Sequence, residues 1–146
     1  MTLSSALRIW LDLHGFLADI LNATIYNRTT PLMQAARLGD YAIAAELIEC
    51  GVELNATNND GNNALWLACF NGDPQLIGLL IEKGIALNNQ NDNGATCLMY
   101  AASASKTEIV TQLLKAGADP KAKSLDDFTA LDVAGNFECL TLLRRV

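Results

Sequence analysis

Apolar residues along this chain fall in short helical stripes, broken at regular intervals by glycine and by loops rich in Asn and Asp. Ile43, Leu47 and Ile48 lie on one side of a 3.6-residue helix, and the same spacing returns at Leu76, Ile77, Leu80 and Ile81. The paired aliphatics Leu47-Ile48, Leu80-Ile81 and Leu113-Leu114 stand 33 residues apart, as do Gly51, Gly84 and Gly117. A second set of stripes opens at Thr30-Pro31-Leu32-Met33, Asn63-Ala64-Leu65-Trp66, Thr96-Cys97-Leu98-Met99 and Thr129-Ala130-Leu131-Asp132, with the same step of 33. A fixed period of this size predicts one two-helix unit stacked on copies of itself, so function is expected on the surface the stack displays.

Local chemistry predicts where each helix starts and stops. Thr30 caps a first helix whose opening position is Pro31, Ala35 and Ala36 keep that helix thin, and Gly39 allows the reversal. Asp40 is then expected to cap the second helix, which Gly51 ends; Asp73, Pro74 and Gly84 repeat the scheme. In the third unit Ser105-Lys106 replaces Gly-Asp, which predicts a non-glycine residue at positive φ costing roughly 1 kcal/mol. Thr107 is expected to take over the cap there and shift the helix start by a residue or two. In the fourth, Gly135-Asn136 arrives three residues early, so the first helix is expected to be about one turn shorter, with Arg144-Arg145 as a polar finish.

The N-terminal segment carries the period faintly, since Leu21-Asn22-Ala23-Thr24 matches Leu54-Asn55-Ala56-Thr57. From Ser4 or Ser5 to Leu17 the chain therefore reads as the second helix of an incomplete leading unit. Ser5, Arg8, Asp12, Gly15, Asp19 and Asn22 gather on one side, leaving a wide apolar arc around Trp10, Leu13, Phe16 and Leu17.

Thr30-Pro31-Leu32-Met33-Gln34-Ala35-Ala36-Arg37-Leu38-Gly39-Asp40 and Leu113-Leu114-Lys115-Ala116-Gly117-Ala118-Asp119 together resemble the two halves of the ankyrin repeat. The resemblance implies an all-α solenoid of helix-turn-helix units with β-turn or hairpin loops. One domain spans 1–146: a capping half-repeat 1–24, repeats 25–57, 58–90 and 91–123, and a truncated capping repeat 124–146. Met33, Trp66, Met99 and Asp132 replace the family's histidine, whose loss puts the stiffness of the stack in question. The loop glycine kept at Gly61 and Gly94 becomes Arg28 and Asp127 in the end units, where turns of another type are expected.

Such proteins bind through loop tips and exposed residues of the first helices, which form a concave face. Carried onto this sequence, the face comprises Tyr26, Asn27, Arg37 and Leu38 in the first unit and Asn59, Asp60, Asn62, Phe70 and Asn71 in the second. Asp92 and Asn93 follow in the third, with Leu125 and Phe128 in the fourth. Tyr26, Leu38, Phe70, Leu125 and Phe128 are the candidate anchors, the alternative being that each folds onto its own loop. Trp66 reads as a packed bridge between loops. Asp60, Asp92, Asp126 and Asp127 form either a ridge that steers a basic partner or ordinary turn stabilisers.

A net charge of −6 with scattered Lys and Arg argues against nucleic acid as a partner. Cys50, Cys69, Cys97 and Cys139 show no metal spacing and read as small buried hydrophobes in a reducing, cytoplasmic setting. His14 stands alone, without a nucleophile or orienting group nearby in sequence, so no catalytic, cofactor or metal site is expected. Arg8, Asp12, His14 and Asp19 interrupt the apolar run of the first segment and no basic stretch precedes it, so neither a membrane span nor a signal peptide is expected there. The leading expectation is a non-enzymatic adaptor or stoichiometric inhibitor that grips another protein. The alternative is a weak homodimer through Trp10, Leu13, Phe16 and Leu17.

Overall fold

Short polar side chains at the heads of the apolar stripes open the helices of the computed structural model, which describes residues 2–146. The elements are α1 Ser5–Leu13, α2 Pro31–Leu38, α3 Tyr41–Glu49, α4 Ala64–Asn71 and α5 Pro74–Glu82, then α6 Cys97–Ser103, α7 Thr107–Lys115, α8 Ala130–Val133 and α9 Phe137–Arg144. Thr30, Asn63, Thr96 and Thr129 each accept the N–H three residues on, and Pro31 and Pro74 occupy first turns where a missing N–H costs nothing. The first helices of the units, α2, α4, α6 and α8, lie side by side in one layer. The second helices α3, α5, α7 and α9, led by α1, form the other.

Small residues set the spacing of the first layer. Ala35, Ala36, Ala68, Cys69, Ala101 and Ala102 are buried, so neighbouring helices approach closely. Leu47, Leu80 and Leu113 fill the same slot of successive second helices with no exposed surface, each contributing about 2 kcal/mol of burial. The third-unit junction keeps the expected left-handed Ser105, at φ 60°. The fourth unit is shortened as its sequence implies: α8 has four residues against the eight of α4, and the Gly135 N–H docks it on the Ala102 carbonyl at 2.9 Å.

Four expectations are corrected. First, α1 ends at Leu13 rather than Leu17, because Gly15 turns at φ 81° and the Phe16 N–H closes back on the Leu11 carbonyl at 2.8 Å. Ser5 and Gly15 stand 36 residues before Tyr41 and Gly51, so the leading helix is three residues out of step with the loop that follows it. Second, the apolar arc divides. Trp10 and Phe16 are core, their rings stacked with centroids 6.0 Å apart, while Leu13 and Leu17 stay exposed.

Third, Asp40 does not cap α3, because its carboxylate accepts the Trp10 indole N–H at 2.7 Å. Fourth, Thr107 neither caps α7 nor shifts it, since α7 starts 33 residues after Pro74. Lys106 holds that register: its Nζ donates to the carbonyls of Cys69 and Phe70 at 2.8 and 2.7 Å, at the end of α4. The Thr107 hydroxyl instead accepts the Asn136 amide at 3.2 Å.

Candidate functional site

The loop tips at the edge of the first layer are built by asparagine. Asn58 Oδ1 accepts the N–H groups of Asp60 and Asn62 at 3.0 and 3.1 Å, and Asn91 Oδ1 accepts those of Asn93 and Ala95 at 2.9 and 3.0 Å. Each such turn bends through one left-handed glycine, Gly61 or Gly94. In the first unit the matching position is Ile25, which has no acceptor. There Asn27 and Arg28 both turn left-handed, at φ 59° and 55°, and the Thr29 N–H closes on the Tyr26 carbonyl. The last tip keeps the interior form, with Ser124 Oγ accepting the Phe128 N–H and Asp127 alone at positive φ. A turn of different type is therefore found at Arg28 but not at Asp127.

Successive tips are bonded to one another through the main chain. The N–H groups of Asn59, Asp92 and Leu125 donate to the carbonyls of Asn27, Asp60 and Asn93 at 3.0, 3.0 and 2.9 Å. Side chains reinforce this ladder: Asn27 donates to Asp60 at 3.1 Å and Asn91 to Asn62 at 2.9 Å. Asn71 donates to the Arg37 carbonyl, and the Arg37 guanidinium to Gln34. Several polar residues singled out from sequence thus hold neighbouring units together. Asp92, Asn93 and Asn59 remain exposed at the tips.

Large apolar side chains stand out from this frame. Tyr26, Leu38, Phe70, Leu125 and Phe128 are all exposed, from 44% at Leu38 to 77% at Leu125, so none folds fully onto its own loop. His14 caps the end of α1 against Trp10, with its Nδ1 3.3 Å from the Gln34 amide.

Trp66 bridges units from helix to helix, rather than from loop to loop, with its ring 5.0 Å from that of Tyr100. Phe70, one turn along α4 from Trp66, lies 6.3 Å from Tyr100, completing a row of three rings. The Lys106 ammonium sits 5.9 Å from the Phe70 centroid and 5.5 Å from that of Tyr100. Beside Trp66 and Tyr100 opens a hollow of about 420 Å³ that reaches Asn93, Ser103 and Asp126. Sequence reasoning missed Tyr100 and Lys106. The available signal was that Tyr100 fills a register slot held elsewhere by Gln34, Leu67 and Val133.

Two titratable groups here are held in their protonated forms. Burial, and secondarily the Cys69 sulfur, raises the Tyr100 hydroxyl above its ordinary pKa, so it stays protonated. A hydrogen bond to Cys97, together with burial, pushes the Cys69 thiol well up, away from the nucleophilic thiolate. Among the described residues, no three His, Cys, Asp or Glu side chains gather closely enough to hold a metal, and no helix is long and apolar enough to cross a membrane.

A family model described as ankyrin repeats matches three overlapping stretches, residues 5–91, 32–124 and 86–145. The chain belongs to the ankyrin-repeat family. No curated protein gives a significant match. Ankyrin repeats generally mediate protein–protein interactions, and the all-α solenoid described above is the architecture expected of them. This ankyrin-repeat protein lacks the usual histidine, and asparagines in the loops that follow the second helices tie its units together. Asn22, Asn55 and Asn88 accept the N–H groups of Glu53, Ala86 and Asp119 at 2.9, 2.8 and 2.8 Å, one contact per period.

Proposed function

We propose that the chain is a non-enzymatic module that captures another folded protein on its concave face, as an adaptor or a stoichiometric inhibitor. The observation that carries this reading is the set of exposed apolar side chains, Tyr26, Leu38, Phe70, Leu125 and Phe128, mounted on loop tips and first-helix ends that are hydrogen-bonded to one another. Anchors held in place before contact lose little freedom on binding, which is where interface energy concentrates. The four free cysteines support a reducing, cytoplasmic setting. Affinity capture from the native host with the intact chain and with a Tyr26→Ala/Phe70→Ala variant tests the proposal. The partner is expected to be lost from the variant while the melting temperature holds. Identical captures overturn it.

Self-association is the second reading, and one contrast favours it. Leu13 and Leu17 are 76% and 62% exposed, and Ile9 and Ile20 beside them are exposed too. The positions matching Leu13 in the following helices are Glu49, Glu82 and Lys115, so the leading helix alone presents leucine there. Light scattering decides: a strict monomer at high micromolar concentration removes this reading.

A further inference from the structure

We propose that the hollow beside Trp66 is a subsite for an arginine side chain offered by an extended segment of the partner, an inference that rests on the binding-module reading. Its walls include two flat rings, Trp66 and Tyr100, and its rim carries the Asp126 carboxylate. Among the described residues the Asp126 side chain makes no ion pair or hydrogen bond, whereas Asp127 pairs with Lys123 at 3.6 Å and Asp60 takes the Asn27 amide. One flank of the aromatic row already holds a cation of its own, Lys106, fixed by two carbonyls. The other flank has rings and a carboxylate with no cation from this chain.

Arginine fits that flank better than lysine does. A guanidinium is planar and weakly hydrated, so it stacks on an indole face while its edge donates two parallel hydrogen bonds to a carboxylate. The Ser103 hydroxyl donates to the Tyr100 carbonyl and keeps its lone pairs for a further donor; Ser124 Oγ, which accepts the Phe128 N–H, has one left. The net charge of −6 favours the approach of a basic segment.

The test is a nuclear magnetic resonance titration of the full chain with acetyl-Gly-Arg-Gly-amide and with the peptide in which neutral citrulline replaces arginine. The arginine peptide is expected to shift the Trp66 indole N–H and the Ser103 amide saturably, and the citrulline peptide to leave them unmoved. Asp126→Asn, at an exposed site, is expected to weaken binding about tenfold while the rest of the spectrum stays in place. Equal shifts with citrulline, or undiminished binding by Asp126→Asn, overturn the subsite. If the Tyr26/Phe70 variant loses the partner but Asp126→Asn retains it in full, the subsite fails and the module reading stands. Capture unaffected by every variant ends both.

Discussion

Interior loop tips and the last one make the same left-handed bend under different constraints. At Gly61 and Gly94 an added Cβ would lie 2.7 Å from Asp92 Oδ1 and 2.8 Å from the Leu125 amide nitrogen. Asp127, in the last tip, carries a full side chain at φ 69°, and Arg28 shares its bend with Asn27. Glycine is thus required in the interior because the next tip is hydrogen-bonded close against it. At Asp127, against which no further tip is bonded, the left-handed conformation alone costs about 1 kcal/mol and a side chain is tolerated; the first tip, which Asn59 does meet at the Asn27 carbonyl, accommodates Arg28 through a different turn with two left-handed residues.

The largest effect expected from this contrast is at Gly94. Gly94→Ala combines left-handed strain with a clash against backbone, and is expected to cost about 3 kcal/mol by urea denaturation. Gly61→Ala should cost somewhat less, because the nearest atom is the end of an Asp92 side chain that can swing away, which leaves the Asp92 amide nitrogen at 3.0 Å as the closest backbone contact. Equal losses at the two sites would break the argument. Next is Asn91→Ala, which removes the one side-chain oxygen that accepts two N–H groups of an interior tip and is expected to cost about 2 kcal/mol. Asp127→Gly relieves the outer tip and should raise stability by up to about 1 kcal/mol, with partner capture unchanged.

The smallest effect concerns acid. The first three units carry Met33, Trp66 and Met99 where the last has Asp132, which completes a capping box with Thr129. The Thr129 N–H, and then its hydroxyl, donate to this carboxylate and lower its pKa below the ordinary value of 3.8. The stability it adds is therefore fully present above that value and is lost as pH falls through the lowered one. Asp132→Asn should flatten only this acid limb, and a titration of the Asp132 carboxyl resonance at or above 3.8 would contradict the assignment.

What was legible in the sequence was local. Caps at Thr30 and Asp73, prolines at first turns, the early Gly135 and the strained Ser105 each act within a few residues, and each has the effect its neighbouring sequence implies. The rest is set by contacts across units. Asp40 has a good capping sequence, yet an indole N–H thirty residues away takes its carboxylate. Lys106 reads as a surface charge until the carbonyls at the end of α4 come within reach of it. In the leading unit the loop match at Leu21-Asn22-Ala23-Thr24 was sound. Yet three extra residues after Gly15 absorb a slip that a fixed step of 33 conceals. Among candidate binding residues, sequence located the exposed rings but not which asparagines are committed to holding tips together.

The main-chain ladder joining Asn27, Asn59, Asp60, Asp92, Asn93 and Leu125 has a kinetic consequence. Under the proposed reading, the partner meets a surface already tied together, so encounter rates should be nearly the same for all concave-face variants. Differences in affinity among them will then be written in how long each complex survives.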